Sequence, residues 1–158
     1  MATSIRTLLS IVVFATGCYQ SPVPISTQAA PYDPALVGTW QSAEDADDRM
    51  SVLQFDNGYY YVEMPWHLGS ADTTRLRARA YLSEIDGTTF VNVQDIQGAD
   101  RSYTFFKLTR LSGNTISLEP LKDMPKFVSS AELSAYLRAH SNDRGIYDNR
   151  AVFSRAGS

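Results

Sequence analysis

Cysteine is nearly absent from this chain of 158 residues: one occurs, at position 18. A lone cysteine excludes a disulfide within the chain and any cysteine-built metal cage. Histidine is almost as scarce, with only His67 and His140, which leaves little material for imidazole acid–base or metal chemistry. No apolar run approaches the roughly 20 residues that a membrane-spanning helix needs. Basic residues number 14 against 17 acidic ones and are dispersed. No basic stripe exists to neutralise phosphates, and nucleic acid is not an expected partner. Catalytic signatures are missing too: there is no Gly-X-Ser-X-Gly elbow, no His-Glu-X-X-His and no phosphate-cradling glycine loop. The expectation is a protein that is not an enzyme and carries no cofactor or metal, standing on packing and hydrogen bonds alone.

What is present begins at the N-terminus. Arg6 supplies a positive charge, Leu8 to Ala15 form a short, mostly apolar core, and Ala15-Thr16-Gly17 place small residues directly before Cys18. A basic n-region, short apolar core and small cleavage-site residues describe an export signal. With the cysteine at the cut, the stretch resembles a bacterial lipoprotein signal peptide and its lipobox. The resemblance implies cleavage between Gly17 and Cys18, diacylglycerol on the Cys18 thiol and a fatty acid such as palmitate on the new amino terminus. Each buried methylene contributes about 0.8 kcal/mol, so two or three acyl chains make release from the membrane negligible. Tyr19 stands where the family's inner-membrane retention signal has Asp. In a two-membrane bacterium the resemblance therefore points to the outer membrane, facing the periplasm.

Residues 1–17 thus read as a signal peptide, 18–35 as a lipidated N-terminus with a flexible spacer, and 36–158 as one folded domain. Pro22, Pro24, Pro31 and Pro34 lie in a stretch without apolar period, and proline-rich segments form extended, semi-stiff linkers. From Leu36 onward short alternating runs are broken by turn residues. Strands are expected over 36–42, 50–55, 59–64, 74–85, 89–96, 103–111, 115–121 and 147–154. Asn57-Gly58 and Asp86-Gly87 read as hairpin turns, and Ser112-Gly113-Asn114 as a third. Such spacing predicts an antiparallel barrel or sandwich. One helix interrupts it: Ser129 and Glu132 form a capping box, Val128 and Leu133 occupy staple positions, and Leu133, Tyr136, Leu137 and His140 share one face.

The order of elements, together with Gly38-Thr39-Trp40 in the first strand, resembles the lipocalin and wider calycin group. The resemblance implies a mainly β fold: a small antiparallel β-barrel of about eight strands, with one short C-terminal helix before the last strand. It also implies that Trp40 closes the barrel's base beneath an arginine, for which Arg150 and Arg155 are the candidates, with Gly38, Trp40 and Arg155 as structural residues.

The candidate sites are few. Cys18 is the lipidation site. Tyr59, Tyr60 and Tyr61, with Trp66 beyond, form the richest aromatic patch, and Tyr59, Tyr61 and Trp66 are the expected ligand-contacting residues. Arg75, Arg77 and Arg79 share one strand face, read as outward because Leu76, Ala78, Ala80 and Leu82 make the natural core face. The acidic loop from Glu44 to Asp48 departs from the calcium-loop pattern and reads as solvated. His140 suits the negative end of its helix. The leading expectation is a membrane-anchored module binding a small or lipid-like ligand inside its barrel. The alternative is an envelope module with a filled barrel that docks another protein. Replacing Cys18 with Ser should abolish incorporation of labelled palmitate in cells; continued labelling would overturn the anchor.

Overall fold

The computed structural model describes residues 19–67, 73–97, 99 and 101–157, with Pro65, Trp66, His67, Thr73 and Thr74 by backbone only. Residues 1–18, with the expected signal peptide and Cys18, lie outside the described residues. Nine strands form one sheet: β1 (Gln20–Ser21), β2 (Gly38–Ser42), β3 (Arg49–Asp56), β4 (Tyr59–His67), β5 (Thr73–Ile85), β6 (Thr88–Asp95), β7 (Tyr103–Ser112), β8 (Thr115–Pro120) and β9 (Ala151–Arg155). Helix α1 (Ser130–His140) stands between β8 and β9. Strands β2 to β9 pair antiparallel in sequence order, and β9 returns to β2. The eight strands close into a barrel.

Turn chemistry sets the register. Asp86 and Gly87 both take positive φ, 47° and 78°, the conformation a tight hairpin asks of its two central residues. At Asn57-Gly58 only the glycine does so, because the preceding strand carries an irregularity between Gln54 and Asp56 that turns the chain part of the way.

Alternation along the strands builds two cores, one on each side of the sheet. Inward, Trp40, Met50, Val52, Tyr60, Val62, Ala80, Leu82, Leu108, Ile116 and Phe153 form the barrel's interior. Outward, Ile85, Phe90 and Phe105 meet Leu133 and Leu137 of α1, joined by Leu121, Phe127, Ile146 and Tyr147. Ser129 caps the helix, its hydroxyl accepting from the Glu132 N–H. The glutamate reaches the Val128 N–H instead of the cap residue's own, and Val128 is 82% exposed, so no staple with Leu133 forms. The last strand begins at Ala151, not at Tyr147. Tyr147 follows a 3-10 turn (Arg144–Ile146) and is held by its hydroxyl donating to the Ser141 carbonyl at 2.7 Å.

The largest departure from expectation lies before the barrel. The chain expected to be a flexible spacer over 18–35 is, from Tyr19, a strap bound along the barrel. It continues through Val37, because the strand expected from 36 begins at Gly38. Its first residues pair with β7, Gln20 opposite Thr104 and Ser21 opposite Tyr103. The Tyr19 N–H donates to the Leu121 carbonyl at 2.9 Å. Ile25 is fully buried in the outer core. Its N–H donates to the side-chain oxygen of Asn92 at 2.9 Å, and its carbonyl accepts from the Ser134 hydroxyl at 2.5 Å. Farther along, Tyr81 donates to the Ser26 carbonyl and the Ala30 N–H to the Leu82 carbonyl. Prolines remove ladder donors, but the strap needs few ladder bonds because side chains of the barrel and helix supply its partners. Pro34 opens a 3-10 turn (Pro34–Leu36) whose cap is Asp33, a position where proline's missing N–H costs nothing.

Asn92 is fully buried on β6 and also donates to the Ser83 hydroxyl at 2.8 Å. Asn92→Ala leaves the Ile25 N–H without an acceptor, and a buried unsatisfied group costs about 1–3 kcal/mol. The variant should lose that much in urea unfolding and be cut by thermolysin between residues 22 and 30 sooner than the parent. An unchanged cleavage pattern would mean the strap is held without it.

Candidate functional site

The barrel is hollow. An apolar cavity of about 240 Å³ runs inside it, lined by side chains from all eight barrel strands. Its walls come from residues on alternate positions: Met50 and Val52 of β3, Tyr60, Val62 and Met64 of β4, Leu76, Ala80 and Leu82 of β5, Val91 and Val93 of β6. Phe106 and Leu108 of β7, Ile116 and Leu118 of β8, and Ala151 and Phe153 of β9 complete the ring. The space is at or below the small end of the roughly 300–1,000 Å³ range of ligand pockets, which suits a single short chain or one small ring system.

One end of the cavity is closed by the strap and by Trp40. The indole is fully buried and donates its N–H to the Leu36 carbonyl at 2.9 Å. The Arg155 guanidinium lies 4.7 Å from the Trp40 ring centre, a contact worth about 0.5–2 kcal/mol. The same group donates to the Val37 carbonyl at 2.9 Å and to the Ala35 carbonyl at 2.5 Å. Gly38 has φ of +142°, and a β-carbon there would collide with the Arg155 guanidinium. The positive φ requires glycine, and any larger residue would also push the guanidinium away from its place. Of the two arginines named for this place, Arg155 occupies it.

Tyr60 and Tyr32 stack at 5.1 Å beside this floor. The Tyr60 hydroxyl accepts from the Asp33 N–H at 2.7 Å and donates to the Asp33 carbonyl at 3.2 Å. Burial raises its pKa, against the lowering by its bond to Asp33. An Arg110–Asp33 ion pair joins the strap to β7.

The other end is the mouth. Ser42, Glu44, Asp48, Arg49 and Asn149 contribute its polar rim. The acidic loop folds on itself, the Asp45 carboxylate accepting from the Asp47 N–H at 2.9 Å and the Ser42 hydroxyl from Glu44 at 3.1 Å. Among the described residues no group of three or more His, Cys, Asp or Glu is placed to hold a metal ion.

The expected ligand contacts are redistributed. Tyr60, not named among them, faces the cavity, and alternation puts Tyr59 and Tyr61 outside. There Tyr59 lies 3.9 Å under the Arg79 guanidinium, and Tyr61 donates to Glu63 at 3.1 Å. Glu63 also pairs with Arg75 at 2.5 Å and approaches Arg77 at 3.8 Å, so the arginine row is an outer surface, as its strand partners imply. Trp66 is described by its backbone, opposite Thr74 near the mouth. His140 is exposed and stacks on Tyr136 at 4.4 Å. In the sequence, alternation separates Tyr59 and Tyr61 on one face from Tyr60 on the other, and the expectation fell on the pair. The strand's phase, set by Val62 and Met64, selects the middle one.

No protein family matches the chain, and comparison with curated proteins and with solved structures finds no match.

Trp40→Ala removes a fully buried side chain from the floor, a deletion that costs about 3–5 kcal/mol. Thermal or urea unfolding should show a loss of that size; a shift within error would mean that the floor is held by the strap alone.

Proposed function

We propose that this protein is a membrane-anchored envelope module that binds a small apolar or single-chain, lipid-like ligand inside its barrel. The observation that carries the reading is the cavity of about 240 Å³ with apolar walls, closed at the Trp40 end and open at the mouth. Binding sites are concave and mostly apolar, with a few polar groups at one place. Here those groups are gathered at the mouth. The Trp40–Arg155 floor supports the likeness to the lipocalin and calycin group, and the lipobox-like stretch at Cys18 supports attachment at an envelope membrane. In this reading the protein acts by holding and releasing its ligand, with no bond made or broken.

A second reading draws on the outer face of β3 and β4. Leu53 and Phe55 are 52% and 58% exposed beside Tyr61 and the arginine row, and exposed apolar groups with a polar border mark docking surfaces. Under that reading the module binds an envelope protein there.

The two separate in a titration of the chain starting at Cys18 with N-phenyl-1-naphthylamine, an apolar fluorophore of suitable size. Saturable enhancement is expected for the parent and loss of it for Ala80→Phe, which fills the cavity from β5 while leaving the outer face untouched. Equal enhancement in both proteins would place the dye outside the barrel and end the first reading.

A further inference from the structure

The strap fixes where the chain arrives at the barrel, and it arrives at the mouth end. The Tyr19 N–H bonds to Leu121, the residue directly after β8, and β8 ends at the cavity-lining Pro120. Gln20 and Ser21 pair with the first two residues of β7, again at the mouth end. The Tyr19 ring packs between Phe105 and Phe127, at 6.2 and 6.3 Å, so this arrival point is fixed on the outer core. Consecutive Cα atoms are about 3.8 Å apart. Residue 18 is therefore bound to within one peptide unit of that shoulder, and no spacer separates it from the barrel.

We infer that the open end of the barrel rests against the phospholipid bilayer, so that ligand passes between membrane and cavity without crossing bulk water. The inference rests on the anchored-module reading and adds an orientation to it. Any attachment of residue 18 at a membrane surface holds the mouth-end shoulder there, while the Trp40–Arg155 floor lies at the far end of the strands. Val128, the most exposed of the large apolar side chains, adjoins Phe127 and hence the arrival point. Ile96, 37% exposed, lies in the connection between β6 and β7 at the mouth end. The acidic loop from Glu44 to Asp48 on the same rim is repelled by anionic lipid, which makes a neutral phosphatidylcholine surface the appropriate partner to test. The opposite orientation has its own exposed apolar residues, Phe55 and Leu111 toward the closed-end turns, and is the competing outcome.

The test couples the chain starting at Cys18 through its thiol to a maleimide phospholipid in phosphatidylcholine vesicles, and reads hydrogen–deuterium exchange against the uncoupled Cys18→Ser protein. Exchange at 43–48 and 96–97 should slow several-fold on coupling, with the turns at 56–58, 86–87 and 112–114 unchanged. Slowing at those turns instead, or no difference between the two ends, overturns the orientation. A second variant carries about 20 Gly and Ser residues between positions 18 and 19, a flexible insert reaching roughly 25 Å. It should lose the protection at the mouth; retained protection would show that the tether does not set the orientation. Because the coupling is chemical, orientation is read whether or not cells lipidate Cys18, and palmitate labelling decides that question separately.

Discussion

The barrel depends on its seam. Strand β9 is short, and it meets β2 along three residues, Trp40 with Arg155, Gln41 with Ser154 and Ser42 with Phe153. Three pairings are a thin closure for a ring of eight strands. Arg155 thickens it: one guanidinium covers the Trp40 ring and holds two strap carbonyls, at Val37 and Ala35. The first strand, the last strand and the segment before the barrel are thereby tied at one point. Gly38 is where the chain makes room for that guanidinium. Removing the arginine would not merely delete a stacking contact; it would leave the shortest pairing within the ring to carry closure by itself.

The interior stays open because its large rings, Trp40, Tyr60, Phe106 and Phe153, line the wall and floor and several others lie outside the barrel. Phe90, Phe105, Tyr81 and Tyr147 are buried on the outer side of the sheet, beneath the strap and helix. The middle of the barrel is left to Val52, Val62, Ala80, Val91 and Val93, whose volumes do not meet across it. The outer core and the residues around Trp40 carry the close packing, and the centre of the barrel is left open. Packing the interior to full density would add dispersion contacts, and the space left open is the one the proposed ligand would fill.

Much of this was legible in the sequence, for identifiable reasons. Alternation in β5, with Leu76, Ala80 and Leu82 on one face and Arg75, Arg77 and Arg79 on the other, fixed both strand and orientation, and the turns at 57–58 and 86–87 fixed the hairpins. The barrel and its helix follow from such local signals. The strap does not. Its prolines and polar residues carry no period, and the groups that hold it, Asn92, Tyr81, Ser134 and Arg110, lie far along the chain. One hint was available: an asparagine amid Phe90, Val91 and Val93 must find partners. The bonds it makes within its own hairpin, to Tyr81 and Ser83, use its amide N–H groups and leave its oxygen for the strap. The cavity was legible only in part, since the phase of β4 decides whether Tyr60 or its two neighbours enter it.

The long reach of the strap's contacts has a consequence for how the molecule is made. Ile25 waits for Ser134, 109 residues later, and Ala35 for Arg155, 120 residues later. Contacts of such separation form late, after the chain between them has ordered. During synthesis from the N-terminus the strap's partners do not yet exist, and a segment with strong strand character would pair with whatever emerged first. Four prolines and the lack of an apolar alternation keep it from doing so. The composition that disguised the strap as a linker is what lets it remain unpaired until the barrel it belongs to is complete.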